Sequence, residues 1–158
     1  MEAFLDFQTF EFIFKLFVAM LFGMSIGLER LFAHKTAGMR TYALVSMGAA
    51  LFVIVSQIVS AQYIDITNFD PLRIASQVIV GVGFLGAGLI FFKDEKVSGL
   101  TSASGLWVSA GIGISVGFGL YLLALIATLL TLFIFVVLWA IEHRLRKTKR
   151  FLEDNPNE

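Results

Sequence analysis

No charged residue stands between Arg40 and Asp65, and none between Lys96 and Glu142. Uncharged stretches of that length constrain the fold more than any other feature of this chain. A helix that crosses a membrane needs about 20 mostly apolar residues. Arg73 and Lys93 bracket a third such stretch, and Lys15 is the only charge between Phe12 and Leu28. One helix through the stretch after Lys96 would run to roughly 65 Å, at about 1.5 Å per residue. That is about twice the hydrocarbon core, so the chain must fold back. The break is expected at Gly117-Phe118-Gly119, because paired glycines turn a chain at least cost. The expectation is an all-α, polytopic membrane protein of five spans, at about 12–30, 41–61, 72–92, 100–116 and 119–141. These make one transmembrane domain over residues 1–142, followed by a short charged tail, 143–158.

Composition agrees. Hydrophobic residues are 58% and charged residues 15%, where a soluble domain carries about 25% charged. Twelve basic residues balance twelve acidic ones, which argues against a nucleic-acid partner bound through a broad basic surface. Cysteine is absent, so disulfides, thiolate catalysis and Cys-ligated zinc are excluded. His34 and His143 lie in different segments, which disfavours a His-based metal centre. There is no Ser-His-Asp grouping and no Walker-type loop, so the chain is expected not to be an enzyme.

Basic residues set the expected orientation. Arg30, Lys35 and Arg40 fall between spans one and two, and Lys93 and Lys96 between spans three and four. Arg144, Arg146, Lys147, Lys149 and Arg150 follow span five. In a five-span protein these regions share one side, which should be cytoplasmic, with the N-terminus outside. Lys15 is expected to snorkel to the outer surface. The basic tail reads as a stop-transfer flank, with contact to anionic lipid as the alternative.

Several motifs have both a structural and a functional reading. Gly81-Val82-Gly83-Phe84-Leu85-Gly86 fits GxGxxG, but it lies inside an apolar span and not in a βαβ unit. With Gly88 it reads as a helix-packing surface, or else as a broken helix lining a cavity. Gly23 and Gly27 form one GxxxG pair, and Gly113 and Gly117 another. Each suits close helix contact, within the chain or across a homodimer. Span four, rich in Gly and Ser, should be buried; bulky span five should face lipid or a partner. Asp70 and Pro71 suit the start of span three, as N-cap and first helical residue. Arg73 in that first turn opposes the helix dipole and should seek an anion, with Asp70 one candidate. Asp70, Arg73 and Gln77 share a face that continues to Gly81. Glu29 near the membrane boundary is a candidate functional carboxylate. Its plain reading is a pair with Arg30, Lys35 or Arg40. Trp107 and Trp139 read as packing or interface anchors.

The ordered motifs resemble the MgtC/SapB family of bacterial inner-membrane proteins. They are Gly27-Leu28-Glu29-Arg30, then Ala37-Gly38-Met39-Arg40-Thr41, then Leu44 to Phe52. Asp70 to Gly88 follows, then Val97 to Ala103 and Leu106-Trp107. The resemblance covers roughly residues 20–120. It implies about five spans in the inner membrane and a role in adaptation to low magnesium. It further implies a link, in some members, to survival of pathogens in macrophages. Two activities follow as alternatives. One is movement of Mg2+, with Glu29 and Asp70 as metal-attracting carboxylates and Arg30, Arg40, Arg73, Gln77 and Thr101 as polar neighbours. The other is regulation of a second membrane protein, such as the ATP synthase or a P-type magnesium pump. No cofactor is expected beyond Mg2+ as ligand or substrate. The chain reaches Glu158 without the soluble C-terminal domain of the virulence-linked members, so a short form is expected.

Overall fold

The computed structural model describes residues 2–62, 70, 72–93 and 96–145. Asp65, Pro71 and the basic residues from Arg146 to Arg150 lie outside the described residues. The chain is helical, with one small hairpin. Its elements are α1 (Glu2–Phe32), α2 (Met39–Gln62), α3 (Leu72–Ala87), β1 (Phe91–Lys93), β2 (Lys96–Ser98), α4 (Leu100–Gly117) and α5 (Tyr121–Phe133). The α5 axis continues through a π-helical turn, Ile134–Leu138, and stays helical to Leu145. Among the described residues, four segments are long and apolar enough to cross a membrane: Gln8–Phe32, Met39–Ala61, Leu100–Gly117 and Tyr121–Leu145. The α3 helix is apolar but has only 16 residues, about 24 Å against a core of about 30 Å.

Two boundaries differ from the sequence reading. The α1 helix reaches back to Glu2, because neither Gly nor Pro interrupts the chain before Gly23. The α3 helix ends at Ala87 rather than near residue 92. Its last turn tightens, with Leu89 N–H donating to Gly86 O at 3.0 Å and Ile90 N–H to Ala87 O at 3.1 Å. The apolar run that follows becomes a strand. Phe91 pairs with Ser98, Phe92 with Val97 and Lys93 with Lys96, antiparallel. Gly99 makes this return possible. Its φ is 90°, and a Cβ there would strike the carbonyl of Leu89. The glycines at 81 and 83 do not break α3, so a broken helix over Gly81–Gly88 is excluded up to Ala87.

The core is built around α2, which lies against both α1 and α4. A Cβ at Gly23 would strike the carbonyl oxygen of Tyr42, and one at Gly27 would lie 2.6 Å from Met39 Cα. Gly113 faces the carbonyl of Ser46, and a Cβ at Gly117 would lie 2.8 Å from Val53 Cβ. Both GxxxG pairs are thus used inside the chain, and they let backbones meet. Ser46 sits at the centre of this seam, fully buried, with no hydrogen-bond partner for its hydroxyl among the described residues. The best window of α4 is 56% buried, while that of the last helix is 22% buried. The small-residue span is the inner one, and the bulky span faces outward. At the turn between them, Gly119 N–H donates to Val116 O at 2.9 Å and Leu120 N–H to Ser115 O at 2.8 Å. This is the Schellman closure, with glycine at the left-handed position (φ 79°).

Candidate functional site

Four helices converge where α1 ends. The α1 terminus closes with the same hydrogen-bond pattern as α4: His34 N–H to Leu31 O at 3.1 Å, and Lys35 N–H to Arg30 O at 3.0 Å. Here the left-handed residue is His34, with φ 53°. Only a few per cent of non-glycine residues adopt such a backbone. The chain then turns sharply into α2, because Gly27 admits Gly38 and Met39 against α1.

That turn brings Tyr42 inside, with no exposure. Its hydroxyl donates to Ser102 O on α4 at 2.9 Å, and Ser109 Oγ donates back to Tyr42 O at 3.1 Å. Gly105 faces both the Tyr42 hydroxyl and the Phe135 ring; a Cβ there would lie 2.8 Å from the hydroxyl. Phe135 belongs to the π-helical turn of the last helix, a feature that often marks functional positions.

Arg30 lies between these elements. Its Nε donates to Glu29 Oε2, forming an ion pair. Its guanidinium carbon lies 3.6 Å from the centroid of the Phe135 ring, a cation–π contact. The Arg30 side chain is 3% exposed and that of Glu29 17%. A buried guanidinium is thus balanced by one carboxylate and one aromatic face. Glu29 opens on a cleft of about 740 Å³ that Ser25, His34, Lys35 and Trp139 also line. Of the three cations offered to Glu29 by sequence, Arg30 takes it. Arg40 is exposed at the start of α2, and Thr101 is exposed at the start of α4.

Asp70, Arg73 and Gln77 lie elsewhere. The α2 helix has 24 residues, about 36 Å, and leads away from Tyr42. The α3 helix returns along it, so that a Cβ at Gly86 would lie 3.7 Å from Ala103 Cβ in α4. Asp70 therefore sits at the end of the bundle opposite Glu29. It is exposed, and its Oδ1 accepts the N–H of Leu72 at 2.9 Å. Its carbonyl accepts the N–H of Arg73 at 3.1 Å. The carboxylate caps the helix, one of the two roles the sequence offered it, and makes no ion pair with Arg73 among the described residues. Gln77 lines a groove of about 530 Å³ between α2 and α3, where Gly48 and Gly81 face open space. Gly83 also faces open space, and Gly88 is close only to its own helical turn. Among the described residues, no group of three or more His, Cys, Asp or Glu could hold a metal ion. Lys15 pairs with Glu11, one turn towards the N-terminus, at 2.6 Å.

Tyr42, Phe135 and His34 were not singled out by sequence. Tyr42 stands between two of the motif segments, Ala37–Thr41 and Leu44–Phe52, and that position was a usable signal. Phe135 is one of seventeen phenylalanines in an unbroken apolar span, and nothing local marks it.

Comparison with known proteins agrees with this architecture. The MgtC family profile matches residues 16–144. The putative magnesium transporter YhiD of Escherichia coli K12 is 41% identical over 148 residues, covering 92% of this chain and 69% of that protein. The MgtC protein of Brucella abortus (strain 2308) is 46% identical over 86 residues, covering 54% of this chain and 34% of that protein. MgtC of Salmonella typhimurium LT2 is 43% identical over 95 residues, covering 60% and 38%. No solved structure matches the chain. With its profile matched across all five helices and its motifs in order, this multi-pass membrane protein belongs to the MgtC family.

Proposed function

We propose that this chain is a non-enzymatic inner-membrane protein of magnesium homeostasis, and that Glu29 is the carboxylate through which it meets the ion. The observation that carries this reading is the Glu29 carboxylate, held by a buried arginine at the wall of a cleft of about 740 Å³. Magnesium dehydrates reluctantly and is commonly bound through one or two carboxylates with its waters kept. A single carboxylate in a roomy cleft suits a hydrated ion. If the ion takes Glu29, Arg30 still keeps the Phe135 ring beneath it. The ring offsets part of the cost of opening the pair. The name of the relative YhiD, a putative magnesium transporter, supports the same reading. The basic residues support an orientation with this end in the cytoplasm and the N-terminus outside.

Regulation of another membrane protein is the second reading, and one observation favours it. The α2–α3 groove is apolar, and Gly48 and Gly81 leave it open to a close-packed helix. The α1–α2–α4 seam is filled, so a homodimer or a partner would meet the α3 face.

Magnesium flux into liposomes separates the two. The variant to compare is Glu29→Gln combined with Arg30→Met, which removes both charges together. Flux that this variant abolishes supports transport. No flux, with magnesium still stabilising the inserted protein through Glu29, supports regulation. Neither flux nor stabilisation overturns the assignment to Glu29.

A further inference from the structure

A second cleft, of about 430 Å³, opens beside the same ion pair. Arg30 comes from α1, Lys35 from the loop after it, Thr101 from α4, and Glu142 and His143 from the end of the last helix. Three features of this cleft favour an anion. The first is Arg30: 3% exposed, with Nε given to Glu29. Its two terminal amino groups have no hydrogen-bond acceptor among the described residues. A guanidinium carries five N–H donors in a fork that matches phosphate oxygens.

The second feature is the start of α4. Its N-cap is Gly99, with no side chain to accept from the first turn. The first N–H groups of a helix have no intrahelical acceptor, and they favour an anion. The third is Lys35, which makes no ion pair among the described residues; the lining holds one carboxylate, Glu142, and that residue has a contact of its own. The remaining wall is apolar, formed by Ile134, Phe135, Leu138 and Trp139. A small soluble anion has no use for that wall, whereas an acyl chain does.

We propose that this cleft binds a phosphoryl group, presented by an anionic phospholipid whose chain lies along the apolar wall. The lipid phosphate would meet Arg30, Lys35 and the first turn of α4. The site would tie the lipid leaflet to the arginine that holds Glu29.

Trp139 lines the cleft, and the chain has two tryptophans. In a Trp107→Phe background Trp139 is the single tryptophan, and it reports on lipid held at this end of the last helix; the Lys35 variants tie the signal to the cleft. The full chain is placed in nanodiscs without divalent cations, so the outcome is independent of any magnesium activity. Brominated phosphatidylglycerol is compared with brominated phosphatidylcholine at equal mole fraction. The expected result is a preference for phosphatidylglycerol of about fivefold, the size of one lysine's contact with anionic lipid. Lys35→Gln should reduce it towards one, Lys35→Arg should restore it, and Arg40→Gln should leave it unchanged. Inorganic phosphate is then titrated in. Phosphate that leaves the preference intact identifies the lipid as occupant. Phosphate that abolishes it keeps the phosphoryl site and adds free phosphate as a competing occupant. Equal quenching by both lipids overturns the proposal, as does equal sensitivity to Lys35→Gln and Arg40→Gln.

Discussion

At one end of the bundle Arg30 lies buried beneath a carboxylate and against a phenyl ring. At the other, Asp70 and Arg73 stand exposed, and Asp70 spends its carboxylate on capping a helix. Both are acid–base clusters at a membrane boundary, yet their physics differs. Charges in water or among headgroups interact weakly, and such pairs contribute about 0–1 kcal/mol. A buried cation deprived of its partner is strongly destabilising. The same residue types therefore do structural capping in one place and form a buried ion pair against an aromatic ring in the other.

That contrast can be broken most severely by Glu29→Gln. It leaves Arg30 buried without a counter-charge, at an expected cost of about 3–5 kcal/mol. Unfolding in detergent checks this, and Glu29→Gln with Arg30→Met should recover most of the loss. Next comes Gly105→Val. The added carbons collide with Tyr42 and Phe135 and push the ring from beneath Arg30, costing about 1–3 kcal/mol. Asp70→Ala should cost only about 1 kcal/mol, the loss of one cap. Asp70→Asn keeps a capping oxygen and should be close to neutral. Loss of stability in Asp70→Asn as large as in Glu29→Gln would remove the distinction between the two ends. The smallest effect is expected at Ser46. Its buried hydroxyl has no described partner, so Ser46→Ala should be neutral or slightly stabilising.

How much of this was legible in the sequence follows from what each signal measures. Uncharged stretches marked the helices, because an unpaired charge in hydrocarbon is costly. The turn at Gly119 was legible because its left-handed backbone favours glycine. The equivalent turn at His34 was not, since a histidine there announces nothing. The end of α3 was missed because Leu89 to Phe92 are apolar whether helical or extended, and periodicity cannot separate the two in so short a run. Glu29 was legible as a carboxylate out of place, but its choice of Arg30 over Lys35 or Arg40 is set by the Gly27 approach and the Schellman turn. Phe135 became visible only through a π-helical turn that rotates one phenylalanine of many onto Arg30.

The central claim is that the buried end, and not the exposed one, answers to magnesium. Thermal unfolding of the purified protein with and without millimolar Mg2+ tests it directly, since a ligand that binds the folded state raises its stability. The expected result is an upward shift for the wild-type chain and for Asp70→Asn, and no shift for Glu29→Gln with Arg30→Met. A shift that survives in the double variant and disappears in Asp70→Asn would contradict the claim and move the site to the other end of the bundle.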